Sequence, residues 1–179
     1  MTYSSDRLKP SPPAKFFFAI AWNGKGAHVE VEKVLTTEFG ALTERSATYC
    51  FSEFSPYYDV ELGSPVWKYL VSLERFLPAD QIVEVKHFAE EVESLFSTGE
   101  GDGRRRTVNL DPGYLNGWQV VLSTVKNYTH RISMGRGVFC EVTLIYKEGR
   151  FQKLPWTFPD YVSPPVLEFL KKTREGYQT

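Results

Sequence analysis

The chain has little sulfur, few imidazoles and no excess of either charge. Its two cysteines, Cys50 and Cys140, form no CxxC pair and have no histidine beside them. That excludes a disulfide framework and the common zinc motifs, and free thiols suit a reducing cytoplasm. Lysine and arginine total 21 against 22 acids, for a net charge of −1. A dedicated nucleic-acid binder is far more basic. The one basic run, Arg104-Arg105-Arg106, is too short for a nucleic-acid patch and reads as a solvated loop edge. The apolar run 16–22 is too short to span a bilayer or to act as a signal-peptide core, so no membrane partner is expected. Neither GxxxxGK[ST] nor a strand–GxGxxG–helix occurs, which removes the common phosphate-loop motifs.

Aromatic residues are plentiful: 13 Phe, 10 Tyr and 4 Trp in 179 residues. Tyr and Trp carry both a flat apolar body and a polar tip, so some rings are expected to line a groove or interface as well as a core. The length suits one domain over 15–179, after a polar lead-in over 1–14 that holds Pro10, Pro12 and Pro13.

Periodicity gives an element order. Residues 15–22 read as a strand, 27–39 as a helix ended by Gly40, 43–54 as a strand, 55–65 as a loop and 66–76 as a strand. Pro78 opens a helix with Ile82, Val85, Phe88, Val92 and Leu95 on one face. After the polar break 99–103, residues 104–110 form a short strand. The order β-α-β-β-α-β predicts an α+β fold, a ferredoxin-like antiparallel sheet with two helices on one face. A C-terminal extension follows, with a β-hairpin over 128–134 and 138–146 and a last helix capped by Ser163. Within 118–127, Trp118, Val121, Leu122 and Val125 fit a helical stripe, while the β-branched content favours a strand; the spacing tips the expectation to a helix.

The polar groups concentrate in 109–161. Asp111-Pro112-Gly113 is turn chemistry and is expected to hold Asp111 at a strand end, either as a functional carboxylate or as a group closing its own turn. Lys126, Tyr128, His130 and Arg131 put a cation, a phenol, an imidazole and a guanidinium within six residues. His130 is the candidate acid/base because its reference pKa lies nearest neutrality; a hydrogen-bonded structural imidazole is the competing reading. Gly135-Arg136-Gly137 is a hairpin tip whose arginine can hold a phosphate or carboxylate. On the next strand, Val138, Cys140, Val142, Leu144 and Tyr146 form the expected core face and Glu141 the other. A buried Glu141 needs a cation, with Lys126, Arg131 and Arg136 as candidates. Trp156, Asp160 and Tyr161 lie in a rigid aromatic strap that folds over the hairpin or merely links it to the last helix.

At these residues the chain resembles a family of bacterial and archaeal proteins, domain of unknown function 4416. The resemblance covers nearly everything after Lys15. It is carried by Asn109, Leu110, Asp111, Pro112, Gly113, Tyr114 and Leu115, by Thr124, Lys126, Tyr128, His130 and Arg131, and by Gly135-Arg136-Gly137. Residues 141–146 and 154–161 continue it. Asn127 stands where the family pattern often has Asp. The resemblance implies no established reaction; some relatives carry a GTP-binding label, which no GTPase motif here supports.

Four readings follow. The first is an enzyme or binding protein for an anionic, phosphorylated or nucleotide-like small molecule. Lys126, Arg131 and Arg136 bind the anion, Tyr114, Tyr128, Trp156, Asp160 and Tyr161 contribute further contacts, and His130 works with Asp111 and Glu141. The second is an RNA- or single-strand-binding module on an exposed aromatic sheet, although the RNP1 pattern is absent. The third is a homo-oligomeric scaffold without chemistry. The fourth is a metal site of His130 with Asp111, Glu141 or Asp160.

Overall fold

The computed structural model describes residues 9–99 and 105–177. Part of the expected lead-in and Arg104 therefore lie outside the described residues. The centre of the molecule is β1 (Pro13–Trp22), paired antiparallel with β4 (Trp67–Pro78) on one side and β7 (Val108–Leu115) on the other. From Ala14 onward every residue of β1 is buried, because both sheet faces are covered. That explains why this strand reads as a continuous apolar run instead of alternating. The strand also begins at Pro13, two residues before the expected boundary.

The sheet runs in the order β11-β10-β8-β7-β1-β4-β2. Here β2 is Leu42–Arg45, β8 Gln119–Thr124, β10 Val138–Lys147 and β11 Arg150–Lys153. Short strand β3 (Tyr49–Cys50) pairs with β4, and β9 (Ile132–Gly135) with β10. Two further strands, β5 (Ser97–Thr98) and β6 (Arg105–Arg106), pair with each other.

Helices α1 (Ala27–Phe39) and α3 (Ile82–Leu95) pack on one face. Val31, Leu35, Ile82, Val85, Ala89 and Val92 meet Phe16, Phe18 and Ile20 there. The opposite face is covered by helix α4 (Pro164–Glu175), the short helix α2 (Asp59–Leu62) and two 3₁₀ turns, Phe51–Glu53 and Pro159–Val162. Phe17, Ala19 and Ala21 meet Phe51, Leu62, Phe169 and Leu170 on that side. Among the described residues no helix is long and apolar enough to cross a membrane.

Four local expectations are overturned. Asp111-Pro112-Gly113 is not a turn: β7 runs straight through it, in register with Phe17, Phe18 and Ala19. Pro112 is tolerated because pairing to β8 begins only at Gly113, and the Ser123 hydroxyl serves the Pro112 carbonyl at 2.8 Å. Residues 119–124 are strand, not helix, since an open edge of β7 awaited them and their β-branched side chains suit a pleat. Tyr128 to Arg131 is a turn, and β9 starts only at Ile132. Pro78 closes β4 instead of opening the helix; a 3₁₀ turn over Ala79–Gln81 intervenes.

A bulge also breaks the expected single core face of β10. Val142 pairs with Val121 but Leu144 with Val120, leaving Thr143 extra. Cys140 and Val142 therefore face α1 and α3, while Leu144 faces α4. The tight β9–β10 turn is a two-residue connection with φ of 52° at Arg136 and 79° at Gly137, the positive-φ pair that matches strand twist. Likewise the expected strand over 43–54 is split into β2, β3 and a 3₁₀ turn.

Candidate functional site

Between the sheet and the covering segments lies a cavity of about 440 Å³, within the range of small-molecule sites. Its aromatic walls are Phe51, Phe54, Tyr57 and Tyr58 from the α2 region, with Phe158 and Tyr161 from the strap. Its floor is sheet: Lys68 of β4, Asp111 of β7, Leu122 to Thr124 of β8 and Glu141 of β10. Strand parity puts the acids there. Asp111 lies two and four residues from Gly113 and Leu115, which face Phe17 and the α4 core, and Glu141 pairs with Leu122 on that same side.

Each carboxylate is held differently. Asp160 is buried, and its Oδ2 receives the Lys68 ammonium at 2.7 Å and the Tyr49 hydroxyl at 2.8 Å. Lys68 also sits over the rings of Phe51 and Tyr161. Glu141 is buried, and its Oε2 meets Arg131 Nε at 2.7 Å and His130 Nε2 at 3.0 Å. Its Oε1 is buried without a hydrogen-bond partner among the described residues. Asp111 Oδ2 accepts from Asn109 Nδ2 at 2.8 Å and, at 3.4 Å, from the Tyr58 hydroxyl. The Tyr161 hydroxyl is likewise buried and has no hydrogen-bond partner among the described residues.

The phenols stay protonated. Burial, then the Asp160 carboxylate, pushes Tyr161 and Tyr49 well above the usual tyrosine value; burial and Asp111 do so for Tyr58. They act as hydrogen-bond donors, not phenolates. Lys126 lies at the mouth, where its ammonium bonds the Tyr57 hydroxyl and rests over that ring. Among the described residues it pairs with no carboxylate. Arg131 is tied down by Glu141 and by the Lys126 carbonyl at 2.9 Å. No group of three or more potential metal ligands occurs among the described residues.

A family model described as Domain of unknown function (DUF4416) matches residues 12–177, from the start of β1 to beyond the end of α4. The chain belongs to this family. No curated protein and no solved structure matches it. The DUF4416 match includes every residue that lines the cavity.

Of the residues singled out in the sequence, the fold brings Asp111, Lys126, Arg131, Glu141, Asp160 and Tyr161 together around this one cavity. Five others stand elsewhere. His130 does not line the cavity. It stacks on Trp156 with ring centroids 5.0 Å apart and reaches Glu141, so it orients the acid where the expected order had the acid orienting it. Trp156 is fastened to the Val142 carbonyl at 2.8 Å, and Tyr128 is exposed against the edge of His130. Arg136, at the hairpin tip, pairs with Glu84 of α3, and its carbonyl meets His87. Tyr114 packs on Phe16 on the helix face, opposite in strand parity to Asp111.

Sequence reading missed Lys68, Tyr49, Tyr57 and Tyr58. Two signals were available. Lys68 interrupts an apolar run between Val66 and Val71, and 54–58 holds three rings, too many for a solvated loop.

Behind Asp111 lies a second polar network, also missed. Buried Glu93 of α3 receives Arg106 and the Leu110 amide, and Arg106 also binds Glu61 and Asn109, the residue that holds Asp111. Arg106 is thus half-buried and bonded, not a solvated loop edge. Burial outweighs Arg106 and Lys86 and pushes the Glu93 carboxyl up to about 7 from 4.5. The folded state then keeps a proton that the unfolded chain has already released. The resulting stabilisation is complete below about pH 4.5 and lost as pH rises through 7. Urea unfolding is expected to show stability falling by about 1–3 kcal/mol between pH 5 and 8. Glu93→Gln removes that slope; an unchanged slope in the variant assigns it to another group.

Proposed function

We propose that this chain binds a phosphorylated or nucleotide-like small molecule in the aromatic-walled cavity. One observation carries the reading. Among the described residues, Lys126 offers an ammonium without a carboxylate partner at the mouth, while the inner end keeps a buried carboxylate oxygen without a donor. An anionic group suits the first, a planar ring the walls between, and a hydrogen-bond donor the second. Arg131 and Lys68 are already neutralised by Glu141 and Asp160, so Lys126 is the residue left to meet the anion. The free thiols of Cys50 and Cys140 support a cytoplasmic setting.

We read the scaffold as one ferredoxin-like domain. What supports this is the succession β1-α1-β2-β4-α3-β7 with strand order β7-β1-β4-β2. An RNA-binding sheet of this type needs an open aromatic face, whereas Phe17, Leu70 and Leu115 lie buried beneath the α4 side.

Titration calorimetry with mononucleotides, sugar phosphates and inorganic phosphate tests the binding. Lys126→Met is expected to weaken the phosphorylated ligand about tenfold or more. Arg136→Ala, outside the cavity, is expected to leave affinity unchanged. Equal affinity of Lys126→Met and the parent chain rules the orientation out, and no binding by any phosphate rules out the reading.

One observation favours a second reading, a homo-oligomer. All four residues of β9 are exposed, including Ile132 and Met134, and β9 pairs with β10 alone among the described residues. Such an edge is a template for another strand. Light scattering after size exclusion decides between monomer and oligomer.

A further inference from the structure

We infer that the inner end of the cavity is a hydroxyl-recognition subsite, and that the molecule it takes is polyhydroxylated: a sugar phosphate or a ribonucleotide. This rests on the proposed binding of a phosphorylated ligand and names the chemistry of its other end.

Glu141 Oε1 and the Tyr161 hydroxyl both belong to cavity-lining residues, and neither has a hydrogen-bond partner among the described residues. Glu141 is 3% exposed and Tyr161 1%. An unpaired buried polar atom is costly, and a carboxylate oxygen more than most. The two have opposite needs. Glu141 accepts only, since His130 and Arg131 hold its other oxygen. Tyr161 donates, because its phenol is kept protonated by burial and by Asp160 and Asp111.

A hydroxyl suits either atom, since it can accept from a phenol or donate to a carboxylate. A carbonyl or phosphate oxygen has no proton for Glu141. An ammonium cannot accept from Tyr161, and Lys68 already occupies the Tyr161 ring face. Asp111, on the same floor, supplies a further acceptor for a neighbouring hydroxyl. The subsite thus favours adjacent hydroxyls over a single one. Lys126 is exposed where Glu141 and Tyr161 are buried, so the phosphate it meets lies on the solvent side of the hydroxyls.

The test compares probes that differ only in hydroxyls, by titration calorimetry on the full chain. Ribose 5-phosphate is set against its 1,2,3-trideoxy analogue, tetrahydrofurfuryl phosphate, and AMP against 2′,3′-dideoxy-AMP. The hydroxylated probe of at least one pair is expected to bind about tenfold more tightly. Tyr161→Phe is expected to erase most of that advantage, leave the hydroxyl-free probes unchanged and leave the melting temperature undiminished. This last readout separates ligand recognition from a structural role, because a hydroxyl bonded within the protein would cost stability on removal. Equal affinity within both pairs overturns the subsite while phosphate binding stands. An undiminished advantage in Tyr161→Phe, or a lowered melting temperature, also overturns it. If no phosphate of either kind binds, the inference and the reading beneath it fall together.

Discussion

Asp160→Ala is expected to lower the unfolding free energy by about 3–5 kcal/mol, the cost of stranding a buried charge. Its carboxylate is 1% exposed and its Lys68 partner 5%. Removing it leaves the ammonium without its counter-charge and the Tyr49 hydroxyl without its acceptor. The rings of Phe51 and Tyr161 offset only part of the loss, since each cation–π contact contributes about 0.5–2 kcal/mol. The Lys68→Met, Asp160→Leu double variant is expected to regain most of that stability, because a buried pair replaced as a unit leaves no orphan charge. Urea unfolding of parent, single and double variants measures both. A double variant as unstable as the single one would show that the acid holds the strap by some route other than Lys68. The pair ties β4 to the turn over Pro159–Val162, so its loss should also open the cavity wall.

Gly113→Ala is the second large effect, expected at about 3 kcal/mol or more. A Cβ there would stand 2.6 Å from the Val121 carbonyl, 2.7 Å from Phe17 Cζ and 2.8 Å from Leu122 Cδ2. Two of these belong to a paired strand and a packed ring and cannot swing aside. β8 must move away from β7, which displaces Leu122 and Ser123 from the cavity floor. Glycine is required here by close approach of neighbours, not by a turn. Thermal and urea unfolding give the cost; a variant within 1 kcal/mol of the parent by the same measure would mean that the two strands separate freely. Gly137→Ala, at the open hairpin tip, has no such clash and should cost only its positive φ, about 1–2 kcal/mol.

These two sites show where local sequence runs out. Asp111, Pro112 and Gly113 each favour a turn when considered alone. Eight residues of pairing with β1 overrule them, and the same residue types acquire other duties in a strand: an acid on a face, a proline facing an unpaired edge, a glycine admitting a neighbour. The stripe Trp118, Val121, Leu122 and Val125 fits a helix locally, yet Val121 and Leu122 serve opposite faces of one strand. Glu141 followed the simple alternation and Leu144 did not, because one unpaired Thr143 inverts everything beyond it. Lys68 and Tyr49 went unnoticed because their partner Asp160 is 92 and 111 residues away.

By itself the sequence determined the mixed α and β content, the places of α1, α3 and α4, the continuous central strand and the concentration of polar groups in 109–161. Those are consequences of periodicity and chain punctuation, which act over a few residues. Tertiary structure alone decided which of these groups share a cavity. It gathered Asp111, Lys126, Arg131, Glu141, Asp160 and Tyr161, turned Tyr114 and Arg136 to the other face, placed His130 behind Glu141, and added Lys68 and the 51–58 wall. The physical reason is that a side chain's face depends on strand register, and register is fixed by pairing and bulges between segments far apart in the chain.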